Sequence, residues 1–331
     1  LKKEHTLVDD EGHEVPYQFV QTKATANGRY RISFIADLPS FGYRVYRLLP
    51  RKPEERFLAV KAGAYTLENK RYRLEFDPKT GFLTSLYDKK KNFEVLDGPA
   101  ARPMVIADPS DTWSHNVFRF DQEEGAFTAR KIRLVETGPV KAVLRVESAF
   151  NNSVLWQDFT IYQDLPQIEV RVRVDWREQF RMLKLKFPIK LNFRKVTYEI
   201  PYGHIERGAT GLEEPGQSWL DVTGMIPGLN ETYGVSIIND AKYSYAVLNK
   251  ELSLTVLRSP IYAHHDPAEP HPDKDYTFID QGQQEFTYWM LPHAGSWEEA
   301  GTVQRALELN QPAVCLLETY HQGELPLTAS F

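Results

Sequence analysis

Three short stretches gather side chains able to do chemistry. The first is Asp108-Pro109-Ser110-Asp111-Thr112-Trp113-Ser114-His115-Asn116. Asp, His and Asn groups hydrogen-bond sugar hydroxyls, and a tryptophan ring stacks on a pyranose face. The same run also reads as an Asx-rich loop that satisfies its own backbone. The second is His264-His265-Asp266 with His271, Asp273 and Asp275. Imidazole and carboxylate at such spacing can ligate zinc. Pro267, Pro270 and Pro272 interleave them, however, and favour an extended, solvated loop, so no metal is expected in this chain. The third is Leu257-Arg258-Ser259-Pro260. Arg258 ends an apolar strand, from which its guanidinium either reaches into a cleft or forms a surface ion pair.

Familiar catalytic signatures are missing. The sequence holds no G-x-S-x-G, H-E-x-x-H, Walker A or G-x-G-x-x-G motif. Carboxylates are plentiful, but spacing along a chain does not show which pair lies 5 to 10 Å apart, as glycosidase chemistry requires. No catalytic residue is nominated. The substrate-binding candidates are Arg258, Asp111, Trp113 and His115. Glu199 or Glu206 with His204 would serve as acid and base if the chain were an epimerase in its own right.

The elements that must position these residues are strands almost throughout. In Gln167–Trp176, Ile168, Val170, Val172 and Val174 point one way, and Glu169, Arg171, Arg173 and Asp175 the other. Such alternation predicts a half-buried antiparallel strand. Similar runs cover 141–148, 154–162, 183–191, 233–238, 243–248 and 252–257. Asn151-Asn152, Asn239-Asp240 and Asn249-Lys250 read as hairpin turns between them. Many short strands separated by turns predict a sandwich or open barrel. One helix is expected. Ser296-Trp297-Glu298-Glu299 forms a capping box, Ala300, Val303 and Leu307 supply its apolar face, and Asn310 with Pro312 ends it. A further strand is expected over Ala313–Thr319. The polar, Pro-rich stretch Pro50–Glu55 separates an opening β segment (1–50) from the main body (51–296), and 297–331 closes the chain.

Composition narrows the class. Hydrophobic residues make up 42% of 331 and charged residues 26%, enough for a substantial core. Forty Lys and Arg against 45 Asp and Glu leave a net charge of −5, which argues against nucleic acid or an anionic membrane as partner. The aromatic fraction of 12% suits a sugar-binding surface, though it suits a β-sandwich core better. Cys315 is the only cysteine, so no internal disulfide forms, and a reducing, cytoplasmic location is expected. Asn151-Asn152-Ser153 and Asn230-Glu231-Thr232 read as chance sequons. Leu1-Lys2-Lys3 carries no targeting logic, and both ends read as cuts from a longer protein.

At these same residues the sequence resembles the C-terminal β region of glycoside hydrolase family 38, the retaining, metal-dependent α-mannosidases. The subgroup it is similar to is the bacterial and cytosolic–vacuolar one. The resemblance runs through Val15-Pro16-Tyr17-Gln18, Phe34–Tyr43, Leu67-Glu68-Asn69-Lys70 and Gly81–Asp88. It continues in Asp111–Asn116, Val174-Asp175-Trp176, Tyr198–Gly203, Gln217-Ser218-Trp219 and Gly234–Asp240. It ends in Leu257-Arg258-Ser259-Pro260 and Leu291–Trp297. It implies an all-β fold, an antiparallel supersandwich of the galactose mutarotase-like type with a small partial β-sandwich and one short helix. It also implies a sugar substrate, α-mannosides, and an N-terminal catalytic domain of the same polypeptide as partner. That domain would hold the nucleophile and the Zn²⁺ ligands, so no catalytic or metal residue is carried over to this chain. The alternatives are an epimerase-like enzyme and a non-catalytic carbohydrate-binding module.

Overall fold

The computed structural model describes residues 5–21, 30–54, 57–193, 195–265, 270–319 and 321–331. Leu1-Lys2-Lys3, Glu55, Asp266 and Pro267 lie outside the described residues. The fold is all-β, an antiparallel supersandwich. A nine-stranded sheet runs in the order Thr128–Thr137, Lys141–Phe150, Ser153–Tyr162, Ile168–Trp176, Gly282–Ala294, Thr232–Asn239, Trp219–Met225, Lys195–Ile200, Gly203–Gly208. A six-stranded sheet runs Glu123–Ala126, Arg102–Ala107, Arg181–Pro188, Glu251–Arg258, Ser244–Leu248, Thr210–Pro215. A five-stranded sheet of shorter strands between Lys61 and Glu94 adds Leu67, Leu74, Leu83 and Leu86 to the same core.

Alternation drives the packing. Ile168, Val170, Val172 and Val174 are buried and share one core with Leu183, Leu185, Phe187, Leu252 and Leu254 of the six-stranded sheet. Each such side chain contributes about 1.5–3 kcal/mol of transfer free energy. On the opposite face Arg171 pairs with Glu285, and the Arg173 guanidinium lies 5.3 Å from the Trp156 ring. Asn151 and Asn249 adopt the left-handed conformation (φ 46° and 57°), and each closes a hairpin as expected.

Asn239-Asp240 does not make a hairpin. Thr232–Asn239 belongs to the nine-stranded sheet and Ser244–Leu248 to the six-stranded one, so the turn is a corner where the chain changes sheet. The Asn239 side chain shapes it, its Oδ1 accepting from the N–H groups of Ala241 (3.0 Å) and Lys242 (2.5 Å).

The helix differs from expectation in its start and its face. The capping box forms, with Ser296 N–H donating to Glu299 Oε2 (2.8 Å) and Glu299 N–H to Ser296 Oγ (3.4 Å). It closes a turn, though, and the α-helix spans Thr302–Asn310 after Gly301 at φ 66°. In that register Thr302 and Ala306 are buried while Val303 and Leu307 stay exposed. Ala306 and Leu309 pack on Trp219, Ile238, Trp289 and Leu291, covering the outer face of the nine-stranded sheet. Ala313–Thr319 is no strand. It finds no ladder partner among the described residues, and Val314, Leu316 and Leu317 are exposed.

The opening segment forms small sheets, Thr6–Val8 with Arg47–Leu49 and Tyr17–Val20 with Arg31–Phe34. Gln18 ties it to the body by accepting from the N–H groups of Val140 (3.0 Å) and Lys141 (2.9 Å). Gly42–Arg44 pairs with Thr328–Ser330, joining the first and last parts of the chain. Among the described residues no helix is long and apolar enough to cross a membrane.

Candidate functional site

Strand register brings the three stretches together. Arg102–Ala107 and Glu251–Arg258 both run antiparallel to Arg181–Pro188, which lies between them. Ala107 is opposite Arg181 and Arg258 opposite Met182, so both outer strands end at one rim of the sheet. The chain leaving Ala107 and the chain leaving Arg258 therefore emerge side by side.

Arg258 is the organiser of that rim. Its Nε donates to Asp108 Oδ2 (2.8 Å) and its Nη2 to Asp108 Oδ1 (3.0 Å), a fork-to-fork pair. Nη2 also reaches Ser110 Oγ (2.6 Å) and the Asp111 carbonyl (3.2 Å), and Nη1 donates to Ser114 Oγ (2.5 Å). These contacts occupy four of the guanidinium's five N–H groups. The Asp108 side chain is 0% exposed and that of Arg258 20%. The pair is thus neither a surface ion pair nor a free arm in a cleft. Phe120 closes it from one side, with the guanidinium carbon 4.9 Å from the ring centre.

The loop held this way presents Trp113 and His115. Asp111 Oδ1 accepts from the N–H groups of Trp113 (3.0 Å) and His115 (3.1 Å), and Oδ2 pairs with His115 Nδ1. Burial pulls the Asp111 carboxyl upward, but the bonds from the His115 side chain and backbone prevail and hold it below the usual value. Ser114 and Asn116 are left-handed (φ 57° and 60°), which turns the chain sharply on both sides of His115. Trp113 remains 56% exposed although its backbone is pinned.

The second stretch docks on the first. Thr112 Oγ1 donates to the Ile261 carbonyl (2.5 Å), Thr112 N–H to the His264 carbonyl (3.4 Å), and His264 N–H to Thr112 Oγ1 (3.3 Å). The His265 ring centre lies 5.0 Å from that of His115 and 5.4 Å from that of Trp113. His271 instead folds into its own turn, accepting from Asp273 N–H at Nδ1 (3.2 Å). His264 packs on Tyr276 at 5.4 Å.

Sequence reasoning did not single out Phe120, Lys184 and Glu213. Met104, Ile106, Phe120 and Met182 form a small cluster on the outer face of the six-stranded sheet. Beside it Lys184 is buried, pairing with Glu213 and donating to the Phe120 carbonyl (3.0 Å). Burial lowers the Lys184 pKa, and Glu213 offsets part of that. Ser244 (2.8 Å) and Thr255 (3.0 Å) also donate to Glu213. The signal in the sequence was Lys184 and Lys186 alternating with Leu183, Leu185 and Phe187, which sends the lysines to the face opposite the core.

The epimerase candidates lie elsewhere, on the edge hairpin Lys195–Ile200/Gly203–Gly208. Glu199 accepts from Ser218 N–H (2.6 Å) and Oγ (2.5 Å), Glu206 pairs with Lys195 at 2.6 Å, and His204 packs on Trp297.

Residues 67–275 match the model of the glycosyl hydrolases family 38 C-terminal domain. Alpha-mannosidase 2C1 of Homo sapiens is 27% identical over 91% of this chain, which spans 29% of that relative. Alpha-mannosidase G of Dictyostelium discoideum is 25% identical over 70% of the chain, spanning 21% of its own length. Among solved structures, a glycosyl hydrolase family 38 protein from Enterococcus faecalis superposes with a TM-score of 0.77 at 15% identity, covering 99% of this chain and 43% of that one. The last comparison shows shared fold, and the family model spans well over half of the 331 residues. By that match, the chain belongs to glycosyl hydrolases family 38, as the family's C-terminal domain.

Proposed function

We propose that this chain is the sugar-facing β region of a retaining α-mannosidase, acting against an N-terminal catalytic domain of the same polypeptide. Retention needs a nucleophilic carboxylate and an acid/base on one glycosidic bond. Neither is assigned to this chain, nor are the ligands of the Zn²⁺ that the family resemblance implies. Bound there, such a metal would orient sugar hydroxyls. The role of the present residues is to bind and position. The Arg258–Asp108 pair fixes the loop, Trp113 offers an apolar ring face to a pyranose, and His115 adds a polar edge.

One observation carries this reading: a tryptophan 56% exposed on a loop whose backbone is fixed from inside by a buried ion pair. An exposed ring costs solvation unless it meets a partner, and fixing its backbone lowers the entropy lost on binding. In the full-length protein, Trp113→Ala should lower kcat/KM for an aryl α-mannoside by about tenfold or more, about 1.4 kcal/mol. Its melting temperature should stay near wild type. Unchanged kinetics would remove the loop from the sugar site. The 331-residue chain alone should release no p-nitrophenol from the α-mannoside, with or without added zinc.

A further inference from the structure

From the gathering of Asp111, His115 and His265, we infer a divalent transition-metal site of the zinc class at this rim. One ligand atom from each of the three residues lies within 4.8 Å of the others. Tetrahedral zinc with bonds of about 2.0–2.1 Å sets its ligands about 3.3 Å apart. His115 and His265 are both exposed, which leaves their side chains room to rotate toward a shared point. This reverses the expectation of no metal. His264 packs on Tyr276 and His271 on its own turn, while His265 meets candidate ligands 150 residues earlier.

The geometry has the features of a prepared site. Asp111 is buried and its Oδ2 already meets His115 Nδ1, so these two donor atoms face one another and a metal would take the place of the proton between them. The two ligand-bearing segments are already cross-linked through Thr112, Ile261 and His264, so binding need not bring distant loops together. Two imidazoles with one carboxylate favour zinc, cobalt or nickel over magnesium or calcium. Three protein ligands leave a fourth position for water or another oxygen donor. The family resemblance supplies no metal-binding role for these three residues, and the inference does not rest on the mannoside reading.

The test is equilibrium dialysis of the 331-residue chain against Zn²⁺, followed by elemental analysis, in a Cys315→Ser background that removes the exposed thiol. Cobalt is the second probe, its visible absorption reporting a tetrahedral nitrogen–oxygen site. One metal per chain is expected, with magnesium and calcium failing to compete. His115→Ala, His265→Ala and Asp111→Asn should each weaken zinc binding about 100-fold or more. His271→Ala should leave it unchanged. Both ligand histidines are exposed, so these variants keep the fold, and near-ultraviolet circular dichroism verifies that. Failure to reach one metal per chain, or one zinc retained by the His115→Ala/His265→Ala double variant, overturns the inference. Either result leaves the Trp113 experiment untouched.

Discussion

Arg258 and Asp108 are 150 residues apart in sequence and meet in a two-pronged pair, Nε to Oδ2 at 2.8 Å and Nη2 to Oδ1 at 3.0 Å. Removing one partner of a buried pair costs more than the pair contributes, because the other charge stays buried and alone. Arg258→Ala should therefore destabilise the chain by about 3–5 kcal/mol, read from denaturant unfolding. In the full-length protein, assayed well below its melting temperature, kcat/KM should fall about 100-fold, about 2.7 kcal/mol. Arg258→Lys keeps the charge but loses the fork and should fall between. A variant with wild-type stability would show that Asp108 is not held by this pair.

The Lys184–Glu213 pair makes a different forecast. Lys184→Met alone leaves Glu213 charged with only hydroxyl donors, and should cost about 3 kcal/mol. Lys184→Met with Glu213→Leu removes both charges and should return to near wild type or above it. Chemical denaturation of the four proteins in the cycle gives the coupling. Additive losses would mean that the two charges do not stabilise each other.

Asp111 predicts an acid transition in the loop. Its folded carboxyl titrates below the usual 3.8, so its contribution to stability is complete above that value. It is lost as pH falls through the lowered folded value. Protonation weakens the acceptor of the Trp113 and His115 N–H bonds, so Trp113 emission should change in that range. The measurement is fluorescence against pH, with Asp111→Asn as control. The same step in the Asn variant would assign it to another group.

Gly301 isolates a backbone effect. A Cβ there would meet nothing within 4 Å, yet φ is +66°. Gly301→Ala should thus cost about 1 kcal/mol through left-handed strain alone. A melting curve unchanged from wild type would mean that the turn relaxes to another conformation.

Much of this fold is legible in the sequence because strand alternation and Asn turns are local. Ile168–Val174 faces inward as its period requires, and Asn151 and Asn249 close hairpins between neighbouring strands. Asn239 shows the limit. Its turn chemistry is equally local, but which sheet the next strand joins is decided by partners far along the chain. Val314, Leu316 and Leu317 have strand-like composition and nothing to pair with. The helix face departs from the one its capping box implies, since Gly301 resets the register at Thr302. For the site, each stretch could be read singly. Their union could not, because Arg102–Ala107 and Glu251–Arg258 become near neighbours only through the strand Arg181–Pro188 between them.

The ladder between Gly42–Arg44 and Thr328–Ser330 has a temporal consequence. Arg44 and Thr328, which share a hydrogen bond, are 284 residues apart. At a synthesis rate of about 5–20 residues per second, that interval is about 15–60 s. The early strand thus emerges from the ribosome long before its partner exists. Throughout that time its backbone N–H and C=O groups are an open edge, available to any other extended segment nearby. The large sheets between them can fold meanwhile, so this seam closes after the sheets it brackets and its early strand stays open to mispairing until then.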